Sequence, residues 1–138
     1  MEAQSYANHR YRPRLWLIGA LSAVVGFVLI VLFVLRQPSA GGFGLLLLGF
    51  SLICVLLMVR RYALRLQDRI IRLEMQTRLA RLGRAADVGR VTLRQIIALR
   101  FASDAELPAL LDRAVAEHLT EDQIKRAVTA WQADHLRT

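Results

Sequence analysis

The residues best able to do chemistry are few and widely spaced. Cys54 is the one cysteine of the chain and lies inside an apolar run. Neither an intramolecular disulfide nor a cysteine-based metal framework is therefore open to it, and a buried structural thiol is the expected state. His118 and His135, with Glu117 and Asp134 beside them, are the nearest approach to a metal-ligand set. Two histidines 17 positions apart are a weak signal, and polar helix ends account for them better. No Gly-rich phosphate loop, Ser/His/Asp set or paired carboxylate in an apolar pocket is present. The expectation is a non-enzymatic protein with no cofactor and no catalytic or metal-binding residue.

The remaining candidates are cationic. Arg61, Arg65, Arg69 and Arg72 recur at steps of four, four and three, which places them on one helix face. Such a stripe can attract anionic lipid headgroups, at about 1 kcal/mol per basic residue close to the surface. The plainer reading is that these arginines only set membrane topology.

The elements that would position these groups emerge from the hydropathy. Of 138 residues 55% are hydrophobic, and the excess is concentrated in two blocks, which points to lipid rather than to a large globular core. Residues 15–35 form a charge-free run of 21, spanning about 31 Å as a helix, close to the thickness of a bilayer's hydrocarbon. Residues 43–59 form a second run of 17, which Gly41 and Gly42 can extend. Between them, residues 36–42 contain Pro38 and two glycines and suit a short turn. A cleaved signal peptide fits poorly: the first run is long, and a second span follows at once.

Charge orients the hairpin. Arg10, Arg12 and Arg14 precede the first span, five arginines from Arg60 to Arg72 follow the second, and the connecting segment has only Arg36. By the positive-inside rule both ends face the cytoplasm, with residues 1–14 a basic cytoplasmic segment. The spans hold no Asp, Glu, His or Arg of the kind that proton relays and ion paths use, so they read as anchors. In the first of them Gly19, Ser22, Ala23 and Gly26 form a stripe of small residues that allows close helix packing. Its partner is the second span, a second copy, or another protein's helix.

The second span is expected to continue as a basic amphipathic helix over residues 60–84. Leu66, Ile70 and Leu73 share an apolar face, with Leu64, Ile71, Met75 and Leu82 beside it. Asp68–Arg72 and Glu74–Arg78 are spaced for helical ion pairs. A lone helix in water would not leave that face bare, so something must pack on it. Residues 84–90 read as a loop. Three capping boxes follow, Thr92 with Gln95, Ser103 with Glu106 and Thr120 with Gln123, and predict a three-helix unit over residues 92–138. Its expected core is Leu93, Ile96, Ile97 and Phe101, then Leu107, Leu110, Leu111, Ala114 and Val115, then Ile124, Ala127, Val128 and Trp131. So small a core rarely supplies more than about 3–5 kcal/mol, which calls for docking on the basic helix or a partner. Residues 60–100 carry a net +8 and residues 101–138 a net −3. A helix-turn-helix whose last helix opens Glu121-Asp122 would repel phosphate, so nucleic acid is not an expected partner.

Several strings resemble an uncharacterised bacterial family of small two-span inner-membrane proteins, a domain of unknown function. They are Arg61-Tyr62-Ala63-Leu64-Arg65-Leu66-Gln67-Asp68-Arg69-Ile70-Ile71-Arg72-Leu73-Glu74-Met75, Ile97-Ala98-Leu99-Arg100-Phe101-Ala102-Ser103-Asp104, Trp131-Gln132-Ala133-Asp134-His135-Leu136-Arg137 and Tyr6-Ala7-Asn8-His9. The resemblance implies a bacterial inner-membrane location and supplies no activity. The sequence thus leads to an all-α membrane protein, a hairpin anchor bearing cytoplasmic helices. Two roles are expected of it: an interaction or scaffold protein binding another protein or a second copy, or an accessory subunit of a transporter complex.

The orientation is open to direct test. With Cys54 replaced, a cysteine at Ser39 should label from the periplasmic side with a membrane-impermeant thiol reagent, and one at Arg94 should not. Labelling of the Arg94 site from that side would invert the topology.

Overall fold

The computed structural model describes Tyr6 and residues 14–132. The basic segment up to residue 13 (Tyr6 apart), with the Ala7-Asn8-His9 part of the family-like start, lies outside the described residues, as do Asp134 and His135. All the regular elements among the described residues are helical, in the order α1 (Arg14–Arg36), α2 (Ala40–Arg81), a 3-10 helix (Ala85–Arg90), α3 (Leu93–Leu99), α4 (Leu107–Ala116) and α5 (Glu121–Ala127). One isolated antiparallel bridge joins Ala102 to Trp131. The chain divides into two units: residues 14–64, and residues 65–132 with Tyr6.

The first unit is a helical hairpin. Residues 37–39 suffice for the turn, because Ser39 caps α2: its Oγ accepts from the Gly42 N–H at 3.1 Å, and its carbonyl from the Phe43 N–H at 3.0 Å. Gly41 and Gly42, expected in the turn, belong to the first helical turn of α2. Half-buried and buried positions recur in both helices at steps of four and three. In α1 such a row runs through Trp16, Ala20, Ala23, Phe27, Ile30 and Val34, with Gly26 and Val31 beside it; in α2 it runs through Gly42, Leu46, Gly49, Ile53, Leu56 and Arg60, with Cys54 beside it. That spacing keeps one face of each helix toward the other. A Cβ at Gly42 would lie 2.9 Å from Val34 Cγ2, and one at Gly49 3.0 Å from Phe27 Cδ2. These two glycines set how closely the helices approach. At the open end Arg60 lies over the Trp16 ring, 4.7 Å from its centroid.

Both helices are long and apolar enough to cross a membrane. Only 6% of the most apolar 18-residue stretch in each is buried, whereas the core helix of a water-soluble protein would bury most of such a stretch.

The second unit is built around one core. Ile71, Met75 and Leu79 of α2 pack with Val88, Val91, Ile96, Leu99, Leu107, Leu111, Leu119 and Ile124. The helix that carries the first three ends in a Schellman motif: Gly83, at φ 72°, donates to the Ala80 carbonyl and Arg84 to that of Leu79. Residues 84–90, expected as a loop, contain the 3-10 helix instead, with Asp87 and Val88 buried.

The glycine seam predicts asymmetric tolerance. Gly49→Leu should destabilise the hairpin by about 1–3 kcal/mol through overpacking. Gly44→Leu, where a Cβ meets nothing within 4 Å, should be nearly neutral. Unfolding of the purified protein in a denaturing-detergent titration would separate the two.

Candidate functional site

Three surfaces hold the residues singled out from the sequence, and the structure treats them differently. The small-residue stripe of α1 is half inside the hairpin and half outside it. Ala23 and Gly26 are half-buried and Gly19 and Ser22 exposed, and a Cβ at Gly19 or Gly26 would touch nothing within 4 Å. Ser22 returns its hydroxyl to the Ile18 carbonyl at 2.8 Å. The glycines against which α1 side chains lie closest are Gly42 and Gly49 of α2. No sequence signal separated those two from the other α2 glycines; only the four-and-three spacing of Gly42 and Gly49 across the seam marks them.

Arg61, Arg65, Arg69 and Arg72 are all exposed on α2. Of the arginines that follow, Arg78, Arg84 and Arg90 bond within the second unit. Arg78 bonds through Nε to the Asp104 carboxylate, and its two terminal nitrogens donate to the carbonyls of Arg100, at 3.1 Å, and Ala102, at 2.5 Å. A planar guanidinium reaches three acceptors at once, which a lysine would not. The expected Glu74–Arg78 pair is thereby replaced by Asp104. Arg84 bonds Asp87 and, at 2.5 Å, Asp112; Arg90 reaches Asp87 at 2.9 Å. This four-charge group joins the 3-10 helix to α4. The guanidinium of Arg84, then that of Arg90, holds the Asp87 carboxyl below its ordinary value, and Arg84 does the same to Asp112.

The face of α2 that packs differs from the one expected. Ile71, Met75 and Leu79 are 6%, 3% and 1% exposed, whereas Leu66, Ile70 and Leu73 are 58%, 48% and 62% exposed. The buried row is the one foreseen as secondary, and Leu79 was missed. Leu79 completes an i, i+4, i+8 row, the signal that would have found it. In α3, Leu93 is 40% exposed rather than core; Ile96, and Phe101 just beyond the helix, are buried as expected.

Two of the three capping boxes form in full, at Thr92 and Thr120. At Ser103 only half forms. The Glu106 carboxylate accepts from the Ser103 N–H at 3.3 Å, but Glu106 itself precedes α4, whose first turn holds Pro108. The same carboxylate accepts from the Thr129 N–H at 3.1 Å, the Thr129 hydroxyl at 2.5 Å and the Ala130 N–H at 3.3 Å. It thus fastens the chain that leaves α5. Helix α5 stops at Ala127, and Val128 is extended, so Trp131 is not a helical core residue. Its ring, half-buried, stacks on Phe101 with centroids 4.6 Å apart. Tyr6 reaches α5, donating to Asp122 at 2.6 Å. Among the described residues no group of three or more His, Cys, Asp and Glu could hold a metal ion. A shallow depression lined by Ser103, Asp104, Ala130, Trp131 and Gln132 has a volume of about 410 Å³ and no convergent set of reactive groups.

These features define an all-helical chain with two candidate spans and a packed helical unit. The chain belongs to a family of unknown function, DUF6526, whose model matches residues 1–138. No curated protein and no solved structure matches it.

The second unit supports two expectations. Leu79→Ala should cost about 2–5 kcal/mol, while Leu73→Ala should change its protease resistance little. The carboxyls of Asp87, Asp112 and Glu106 all lie below their ordinary values, Glu106 through bonds from Thr129, Ser103 and Ala130 that outweigh its burial. Groups depressed in this way stabilise the fold above the unfolded-state value and lose that contribution as pH falls through the folded one. Thermal stability should therefore fall as pH drops below about 4, and Glu106→Gln should flatten part of that dependence.

Proposed function

We propose that the chain is a non-enzymatic, membrane-anchored interaction protein. In this reading the hairpin is the anchor, and the unit of residues 65–132 is a docking module on the cytoplasmic side of a bacterial inner membrane. One observation carries it: two helices whose most apolar stretches are almost wholly unburied stand in the same chain as a unit with a fully formed core. The first has no stable place in water, and the second has no evident catalytic constellation. The arginines at 61, 65, 69 and 72 fit the cytoplasmic side by the positive-inside rule, and anionic headgroups are natural counterions for them. The protein partner is another chain or a second copy. A second reading, an accessory subunit of a transporter acting through its spans, is favoured by the exposed small residues of α1 at Gly19 and Ser22.

Two measurements test these readings. The full chain should stay with membranes through alkaline carbonate extraction, and release into the supernatant would end the anchor reading. Replacing residues 14–64 by an unrelated two-span hairpin should leave protein associations intact. If it abolishes them while the chain remains membrane-bound, the spans carry the interaction and the transporter-subunit reading takes over.

A further inference from the structure

The face of α2 left bare by the core has a pattern of its own. Leu66, Ile70, Leu73, Thr77 and Ala80 are all exposed and follow steps of four, three, four and three. That is the a/d seam of a heptad repeat, with Ile70 and Thr77 at a and Leu66, Leu73 and Ala80 at d. At 100° per residue the seam lies on the side of α2 opposite the buried Ile71, Met75 and Leu79. The helix therefore offers it without disturbing its own core. Thr77 turns its hydroxyl back to the Leu73 carbonyl at 3.0 Å, which leaves its methyl for the seam.

The geometry points to a second copy of this chain as the occupant, paired through α2 as a parallel two-stranded coiled coil. Three features select that partner, and the inference rests on the membrane anchorage proposed above. Copies inserted with one topology carry α2 in the same direction, so a parallel pairing is the only symmetric one open to them. A β-branched residue at a with leucine at d favours two strands. The flanks are also complementary in that register: Arg69 at g faces Glu74 at the following e position of the partner helix, twice by symmetry. Among the described residues neither Arg69 nor Glu74 has an ion-pair partner within the chain. A seam of only two heptads would be marginal between free helices. Confinement of both copies to one bilayer raises their effective concentration and offsets that weakness.

The test uses the full chain in native membranes, with Cys54→Ala as background. Equivalent a or d positions meet across the axis of a parallel coil. Ile70→Cys and Leu73→Cys should therefore both oxidise to covalent dimers, at least about tenfold faster than Arg72→Cys on the outer side of the helix. Arg69→Glu and Glu74→Arg should each weaken dimerisation about three- to tenfold, and the two together should restore it. Cross-linking of Ile70→Cys without Leu73→Cys would indicate antiparallel pairing and overturn the inference. So would equal rates at all three sites, or no cross-link at the seam, which would leave that face to a different protein. These failures are distinct from failure of the anchor reading, which would show first as loss of the chain from the carbonate-washed membrane pellet.

Discussion

The second unit depends on a row of three side chains that its own short helices do not supply. Helices α3, α4 and α5 have seven, ten and seven residues, too few to enclose a core among themselves. Ile71, Met75 and Leu79 enter from a fourth helix and close it, leaving Leu99, Leu107, Leu111 and Ile124 at 1% exposure or less. Burial of that kind is worth on the order of 1.5–3 kcal/mol per large aliphatic side chain. The polar contacts of the unit follow from the same placement. Once Leu79 is fixed, Arg78 is carried to the end of α3, where it finds Asp104 and two backbone carbonyls.

Helix existence, the turn between the spans and most of the core were legible in the sequence, because each had a local cause. Two uninterrupted apolar runs, Pro38 and the Thr92 and Thr120 boxes needed no knowledge of tertiary structure. The apolar face of α2 was misjudged for the opposite reason. Leu66–Ile70–Leu73 and Ile71–Met75–Leu79 are both helical rows of large apolar residues, and periodicity alone gives no reason to bury one and bare the other. What decides is the set of neighbours, which lies more than a dozen residues downstream. Trp131 was misplaced because a large aromatic in step with Ile124 and Val128 looks like a fourth turn of helix. The chain instead turns extended at Val128, and the ring finds Phe101 from a bridge rather than from a helix face.

The arginines divide by what surrounds them, not by their spacing. Arg78, Arg84 and Arg90 are committed to carboxylates and carbonyls within the unit, so part of the positive charge of residues 60–100 is neutralised internally. Arg61, Arg65, Arg69 and Arg72 keep theirs in solvent. The unpaired positive charge among the described residues is consequently smaller than the net charge implies.

The Schellman stop at Gly83 gives the later part of α2 a reading frame. From Leu66 to Arg81 the helix is unbroken, and a glycine with positive φ fixes where it ends. Its two apolar rows are thus defined by counting back from one fixed residue, with no bulge to take up slack. A substitution on either row changes one contact. Insertion or deletion of a single residue between Leu73 and Gly83 would turn everything upstream by about 100°, carrying Leu73 and Ile70 off their side of the helix together. The segment therefore accepts changes of residue identity far more readily than changes of length, and whole heptads are the natural unit in which its length could vary.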